Sequence, residues 1–370
     1  MKVKFGETSF DYYLERDAAD RLCDVMARAG ADSVIVVTDA RILALHGERL
    51  LARLRRETTT IVLTAPEGES AKCFAVLETL CEKAIAGGAT RRSLVLAMGG
   101  GSIGNVAGML AGLLFRGIRL VHLPTTLMAA FDSVLSLKQA INCSRGKNLF
   151  GLYHPPEAIV ADLQAFSTLE ERDVRSGLCE TVKNVVAIAP DTAAVVRERI
   201  GSARRGDADA LTDIAGLSLA AKLGVMSGDP LEKAAGVVLE FGHTVGHAVE
   251  LADFTRRGDA GLRHGEAVAI GMVVAARISA LLARSDGDVD LLLADLLGEV
   301  GAPTALPPDL PVAEIIALVG KDNKRGKLAC EAKAVPMVLL EAPGRPIWEN
   351  GMPLVPASLR LIREALQAVR

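Results

Sequence analysis

The first half of the chain alternates short apolar runs with stretches of helical periodicity. The apolar runs are continuous, with no polar residue at every second position. Strands that helices cover on both faces of a parallel sheet have this pattern. We therefore expect a parallel β-sheet with flanking helices, with strands at 33–37, 60–63, 94–98 and 120–123.

The second half reads differently, because strand signals fade from about Leu163 and a helical period dominates, as in 209–223 and 267–282. The glycine and proline content of 146–156 is typical of a connector. These patterns predict an α/β nucleotide-binding domain at residues 1–155 and an all-α domain at residues 156–370. A cleft between two domains is a favoured place for a ligand.

Composition narrows the class of protein. The chain has 370 residues and 50% hydrophobic content, which allows a large core and favours two domains. A net charge of −3 gives no field for nucleic acid or an anionic membrane, so we expect neither partner. Six cysteines without a CxxC pair favour free thiols in a cytoplasmic enzyme. We expect no apolar signal region at the N-terminus and no 18-residue stretch that is both charge-free and apolar enough to cross a bilayer.

A glycine-rich loop, GGGSIGN at 99–105, separates the third predicted strand from an apolar helical segment. Glycines at this point let backbone N–H groups approach a diphosphate at the helix N-terminus. The run is not a strict GxGxxG, and a tight strand-to-helix turn is the alternative. Asp39 follows the first strong strand, where a carboxylate binds a ribose hydroxyl or simply caps a helix. The polar loop 67–72 is a further candidate, with an ordinary solvated turn as its alternative.

Charged residues then interleave with apolar ones between 123 and 148. Lys138 and Lys147 stand in this segment, and Arg116 precedes it. A lysine in apolar surroundings is costly unless it meets an anion, which favours a phosphate or diphosphate partner. A solvated loop is the alternative for each residue taken singly.

Three of the six histidines lie close together in the sequence. His243 and His247 stand four residues apart, so on a helix both imidazoles leave the same face. This spacing suits Zn²⁺ or Co²⁺, with His264 as the nearest third ligand and a carboxylate needed to complete an open site. The alternative is that these histidines form hydrogen bonds inside a helical core.

Taken together, the motifs resemble those of the sugar phosphate cyclases, the superfamily of dehydroquinate synthase. The resemblance extends from Asp39 to 322–324 and implies an NAD- and metal-dependent enzyme with a dehydroquinate synthase-like fold. The segment DSVLSLKQAIN at 132–142 resembles the branch that cyclises glucose 6-phosphate in the 2-deoxystreptamine aminoglycoside pathway. Dehydroquinate synthases typically have DSSVGGKTAIN there. The matching motifs are GGGSIGN, LPTT, KNLFG, CETVKN, FGHTVGHA and RHGEAVAIGM.

The resemblance implies a role for each matching residue. It gives Glu180, His243 and His264 as ligands of one divalent metal ion, Zn²⁺ or Co²⁺, and moves His247 to the substrate phosphate. Lys138 and Glu240 are the expected catalytic residues. The expected substrate-binding residues are Arg116, Asn148, Lys183, Lys222, His247 and Lys324, with Arg116 reaching the phosphate from the other subunit of a homodimer. The expected NAD contacts are Asp39, Glu69, Lys72, Gly100, Gly101, Ser102, Gly104, Thr125, Thr126, Asp132, Ser133 and Lys147, and Thr168 and Glu171 match further ones.

One departure indicates the substrate. Dehydroquinate synthase binds a substrate carboxylate with an arginine, four residues before an asparagine, in an RxxxNFGH run. Here these positions are Gly236 and Glu240, which removes the anion clamp and adds a negative charge. Glucose 6-phosphate, which has no carboxylate, is therefore the expected substrate.

The implied reaction oxidises C4 transiently, eliminates phosphate, reduces C4 again and closes the ring by an aldol step, so no net oxidation occurs. The alternative is 3-dehydroquinate synthase or another cyclase of a heptulose phosphate. A glycerol-dehydrogenase-type oxidoreductase and a non-catalytic relative are further alternatives.

Overall fold

The computed structural model describes residues 1–144, 146–320, 327–331 and 333–370, and only the backbone of residue 259. The chain divides into two compact units, Met1–Leu169 and Glu170–Arg370. The boundary lies later than the predicted residue 155. The reason is that a strand at Ala158–Asp162 pairs with strands at Thr8–Glu15 and Arg119–Pro124 and so belongs to the first unit.

The first unit is an α/β unit built on one large sheet. Its strands are β1 (Lys2–Phe5), β2 (Thr8–Glu15), β3 (Ser33–Asp39), β4 (Thr59–Ala65), β5 (Leu94–Gly99), β6 (Arg119–Pro124), β7 (Lys138–Cys143), β8 (Gly146–Tyr153) and β9 (Ala158–Asp162). Its helices are α1 (Ala19–Ala29), α2 (Ala40–Ile42), α3 (Glu48–Glu57), α4 (Phe74–Ala86), α5 (Gly101–Leu113), α6 (Leu127–Phe131) and α7 (Leu163–Phe166).

Within the described residues the main sheet has seven strands in the order β1-β2-β9-β6-β5-β3-β4. All neighbours are parallel except β1 and β2. The four strands predicted from apolar runs are confirmed as β3, β4, β5 and β6. β3, β5 and β6 are buried along nearly their whole length, which is why their apolar runs are continuous, whereas β4 lies at the sheet edge and is only partly buried.

The side chains of β3 and β5 alternate between two cores, one on each face of the sheet. Val36 packs with helices α1 and α3, whereas Ile35 packs with helices α4 and α5. Each of these side chains is fully buried. This two-sided packing fixes the carboxyl end of β5, where the glycine-rich loop begins.

The predicted connector at 146–156 is wrong. Residues Gly146–Tyr153 form β8, which pairs with β7 in an antiparallel hairpin. One of its glycines serves this pairing, because a Cβ at Gly151 would lie 2.5 Å from the carbonyl oxygen of Gln139. Glycine here marks a close approach of two strands, and composition alone does not separate this from a linker.

The second unit is mainly helical. The predicted helices at 209–223 and 267–282 correspond to α10 and α12, and in the described part of this unit four strands of two to four residues each add two small sheets. The helices are α8 (Glu171–Ile188), α9 (Ala193–Arg204), α10 (Ala208–Met226), α11 (His243–Arg257), α12 (His264–Leu281), α13 (Asp288–Val300), α14 (Val312–Val319) and α15 (Leu359–Ala368). The strands are β10 (Ala334–Met337), β11 (Leu340–Ala342), β12 (Arg345–Pro346) and β13 (Val355–Ser358).

Glycines let α12 approach both α11 and α8 closely. A Cβ at Gly271 would lie 2.0 Å from the carbonyl oxygen of Gly242, and one at Gly265 would lie 2.0 Å from that of Ser176. No side chain fits at such distances. The first residues of α11 and α12, His243 and His264, are thereby brought together beside α8.

Helix α12 has the length and hydropathy of a membrane span, although it carries Glu266 and Arg277. The span is 72% buried, as in the core helix of a folded domain.

Candidate active site

The glycine-rich loop joins β5 directly to α5. Gly100 is the N-cap of α5 and offers no side chain to cap the helix. A Cβ at Gly100 would lie 3.3 Å from Cγ2 of Thr126, and one at Gly101 would lie 3.2 Å from Oγ of Ser133. The helix N-terminus is thus left bare, which suits an anionic group such as a diphosphate.

Three polar side chains with buried polar atoms border this loop, and none of these atoms has a hydrogen-bond partner among the described residues: His122, Thr125 and Ser133. Burial, followed by the charge of His154, lowers the pKa of His122 to about 3. A cavity of about 490 Å³ at the carboxyl ends of β5 and β6 is lined in part by Thr125. Buried polar atoms are rarely left unsatisfied, so their presence here fits a polar ligand such as a dinucleotide. His122 was not predicted.

Glu69 is the centre of a polar network beside the loop. Its carboxylate accepts hydrogen bonds from Nδ2 of Asn142 at 2.7 Å and Oγ of Ser102 at 3.2 Å. Nζ of Lys147 lies 3.6 Å from the same carboxylate. The structure therefore brings together three predicted NAD contacts, and it adds Asn142.

Lys72 and Asn148 form a second part of this network. Lys72 is buried, so this end of the loop at 67–72 is not an ordinary solvated turn, although Glu67, Gly68 and Ser70 are exposed. Its Nζ donates to Oδ1 of Asn148 at 2.6 Å, and the backbone N–H of Asn148 donates to Oδ1 of Asn142 at 2.9 Å. Asn148 has a φ of +56°, which holds it in the left-handed region. Because its carbonyl is engaged by a lysine, its amide group is oriented as a donor for an anion.

Asp39 acts as a helix cap, which is one of the two roles expected for it from the sequence. Its Oδ1 accepts a hydrogen bond from the backbone N–H of Ile42 at 2.8 Å, so it caps α2. A ribose contact by Asp39 stays a prediction.

In the second unit, a buried carboxylate faces two imidazoles. Oε1 of Glu180 lies 3.7 Å from Nε2 of His243 and 3.6 Å from Nε2 of His264. The opposite ring nitrogens are occupied: Nδ1 of His243 by the carbonyl of Phe241 and Nδ1 of His264 by Glu250, both at 3.1 Å. Three potential ligand atoms, one from each of α8, α11 and α12, therefore converge.

The charges at this point suit a cation. Oε1 of Glu180 is buried without a hydrogen-bond partner among the described residues, while Oε2 lies 2.5 Å from Nζ of the buried Lys183. Burial, followed by the charge of Lys183, lowers the pKa of His243 to about 3, so its imidazole is neutral at pH 7. A neutral imidazole and an unsatisfied carboxylate oxygen are donors that Zn²⁺ or Co²⁺ accepts.

His247 completes a cluster of three histidines. One nitrogen of each of His243, His247 and His264 lies within 4.8 Å of the others. The distances are thus compatible with a three-histidine set or with Glu180, His243 and His264. The choice of Glu180 over His247 stays a prediction.

The structure also describes several other residues that the sequence singled out, but not all of them. Lys222 is buried on α10, and Glu240 is half-buried at the end of a 3₁₀ turn. Gly236 lies in a loop held by Asp229, whose carboxylate accepts the backbone N–H groups of Lys233, Ala234 and Gly236. Lys324 lies outside the described residues.

Comparison with known proteins shows the family of the chain. The family models for the N- and C-terminal parts of 3-dehydroquinate synthase match residues 62–176 and 177–325. The chain belongs to the 3-dehydroquinate synthase family. Within this family, a 2-deoxy-scyllo-inosose synthase from Streptoalloteichus tenebrarius is 42% identical over 366 residues, which covers 99% of this chain and 94% of the relative.

The chain is also similar to proteins of solved structure. A 2-deoxy-scyllo-inosose synthase complexed with carbaglucose-6-phosphate, NAD⁺ and Co²⁺ has a TM-score of 0.91 and 33% identity, covering 100% of this chain and 99% of that one. A 2-epi-5-epi-valiolone synthase from Streptomyces hygroscopicus subsp. jinggangensis 5008, with NAD⁺ and Zn²⁺ bound, has a TM-score of 0.83. It is 23% identical, and the match covers 99% of this chain and 98% of that one. This similarity shows a shared fold.

Two residues beside the candidate site, Glu250 and Asn142, were not predicted, although the sequence contains a signal for each. Glu250 stands seven residues after His243 and three after His247, so it lies on the same face of α11. Asn142 is the last residue of the segment DSVLSLKQAIN, which resembles the corresponding segment of the family. His122 has no such signal, because an isolated polar residue in a strand also occurs in ordinary cores.

Proposed function

We propose that this chain converts glucose 6-phosphate to 2-deoxy-scyllo-inosose with release of phosphate, as a carbon–oxygen lyase. The observation that carries the proposal is the unsatisfied Oε1 of Glu180 between two imidazoles, in a chain of this family. The similarity to 2-deoxy-scyllo-inosose synthases along almost the whole chain supports this choice of reaction.

When bound, NAD⁺ supplies a reversible oxidation of the sugar, and one divalent cation, Zn²⁺ or Co²⁺, supplies Lewis acidity at a hydroxyl. Glu180, His243 and His264 hold the cation, and the bare N-terminus of α5 binds the diphosphate of the dinucleotide. The ion pair of Lys183 with Oε2 of Glu180 leaves Oε1 directed toward the two histidines.

The phosphate is bound by residues that donate hydrogen bonds or carry positive charge. Asn148 presents its amide group because Lys72 engages its carbonyl. Charge on the departing phosphate develops during elimination, so these donors act most strongly at that step. Lys138 and Glu240 handle protons at the reacting carbons. The proposed phosphate-binding residues are Lys138, Asn148, His247, Lys324 and Arg116 of the other subunit.

The loop around Gly236 supports a substrate without a carboxylate. A Cβ at position 236 would lie 3.0 Å from Oδ2 of Asp229. Desolvation raises the pKa of Asp229, but three backbone N–H groups outweigh it and hold that pKa below its usual range. A carboxylate of fixed charge thus occupies the place where an arginine side chain would begin.

The test is an incubation of the protein with glucose 6-phosphate, NAD⁺ and Co²⁺. We expect inorganic phosphate to appear only when both cofactors are present, with no accumulation of NADH. Steady NADH production would instead indicate a dehydrogenase of the glycerol-dehydrogenase type, whose net oxidation uses the same two cofactors.

A homodimer is part of the proposal. Arg116 is exposed in a turn at the end of α5, and both Phe115 and Arg116 have positive φ angles, of 53° and 70°. Non-glycine residues in this conformation often mark functional sites. On the β7–β8 hairpin, Leu149, Phe150 and Tyr153 are exposed, and such apolar patches favour a partner surface.

Arg116→Ala should lower phosphate-dependent turnover without unfolding the protein, because the guanidinium is exposed and acts on the neighbouring subunit. Mixed with inactive Lys138→Ala protein, it should recover roughly a quarter of wild-type activity, since random dimers then contain some intact sites. The measurement is phosphate release after subunit exchange. No recovery in proven mixed dimers would contradict action between subunits.

We place the protein in the cytoplasm. All six cysteines, which lie in the described part of the chain, are free of disulfides. Free thiols persist in a reducing compartment.

A further inference from the structure

Glu250 holds the ring of His264. Oε2 of Glu250 lies 3.1 Å from Nδ1 of His264. Glu250 is only 8% exposed and lies on α11, the helix that also carries His243 and His247. The contact occupies the nitrogen that faces away from Glu180.

The two proposed histidine ligands are oriented by different acceptors. His243 meets the backbone carbonyl of Phe241, whereas His264 meets a side-chain carboxylate. An acceptor at Nδ1 fixes the tautomer with its hydrogen on Nδ1, which leaves the Nε2 lone pair for a metal ion. A hydrogen bond to a carboxylate also makes the imidazole more basic than a hydrogen bond to a neutral carbonyl does, so its Nε2 is a stronger metal ligand.

The backbone around His264 has separate support. The N–H of Gly265 donates to Oγ of Ser176 at 3.0 Å, and that of Arg263 donates to Glu266 at 2.9 Å. Removing Glu250 would therefore leave the start of α12 in place and release only the imidazole.

We propose that Glu250 is a positioning residue, which directs Nε2 of His264 to the point shared with Nε2 of His243 and Oε1 of Glu180. This inference rests on the metal site of the proposed function. It assigns a role to a carboxylate that does not bind the metal ion itself. The Glu250 carboxylate orients the ring of His264 and so determines how tightly His264 binds the metal ion.

The test compares Glu250→Ala and Glu250→Gln with the wild type by titrating metal-free protein with Co²⁺ and recording visible absorption. Alanine removes the acceptor, so we expect Co²⁺ affinity to fall roughly 10- to 100-fold and the absorption bands to shift. Glutamine keeps an acceptor oxygen without the charge, so it should retain the band positions and weaken affinity less. Because glutamine is nearly isosteric with glutamate, the Glu250→Gln variant tests the proposal even if the alanine variant does not fold.

Glu314→Gln is a matched control, because Glu314 pairs with Arg256 at the far end of α11. It should bind Co²⁺ like the wild type. Wild-type affinity and spectra in both Glu250 variants would overturn the positioning role while leaving the proposed function intact. A wild-type protein that binds no Co²⁺ would overturn both.

Discussion

Glu180→Gln should abolish metal binding and turnover together. A neutral amide is a weak ligand, and the substitution leaves Lys183, only 2% exposed, without its charged partner. A bound cation contributes several kcal/mol to such chemistry, so kcat/KM should fall by roughly 10²- to 10³-fold or more. The measurements are metal content by elemental analysis and phosphate release from glucose 6-phosphate.

His247→Ala is the matched control for Glu180→Gln, because the two proposed ligand sets differ only in these residues. It should retain one metal ion per chain and weaken binding of the substrate phosphate. Chelation of the wild type should likewise stop turnover, and Zn²⁺ or Co²⁺ should restore it. Metal retained by Glu180→Gln but lost from His247→Ala would show that the three histidines are the ligands.

Substituting arginine at Gly236 and asparagine at Glu240 should weaken turnover of glucose 6-phosphate. The Cβ of the new arginine, however, would lie 3.0 Å from Oδ2 of Asp229, and we expect its guanidinium to pair with that carboxylate. We therefore expect little gain for a carboxylate-bearing substrate analogue until Asp229→Asn is added. The triple variant should then bind the analogue about 10- to 100-fold more tightly, as for a charge-assisted pair of about 1.5–3 kcal/mol.

The measurements are kcat/KM for glucose 6-phosphate and Kd for the analogue in wild-type, double and triple variants. Asp229→Asn alone is the control, since it removes the charge without supplying an arginine. Equal affinity of the double and triple variants for the analogue would contradict the role assigned to Asp229.

The strands with continuous apolar runs were predictable from sequence because they are covered on both faces. β9 was not, although it is buried, because it has only four apolar residues, two of them alanines. β1 and β2 were not, since their side chains mix buried and exposed positions. The same limit applies to β8, whose side chains are largely exposed although its backbone pairs with β7. Hydrophobic pattern reports burial, and backbone pairing without burial leaves no such signal.

The candidate site was predictable where a motif carried it. Spacing along α11 grouped His243 with His247, and closeness in the sequence added His264. The resemblance to the family added Glu180. Contacts such as Glu250 with His264, or Asp229 with Gly236, depend on how separate segments fold together. One sequence does not show such pairings, because each partner is an ordinary polar residue where it stands.

The most direct test of the proposed function is conversion of glucose 6-phosphate deuterated at C4, with a heptulose phosphate as the competing substrate. We predict one equivalent of phosphate and a six-carbon carbocyclic ketone that retains the deuterium, because the hydride taken from C4 returns there. The product is identified by mass. Efficient conversion of the heptulose phosphate to dehydroquinate, with no carbocycle from glucose 6-phosphate, would contradict the account.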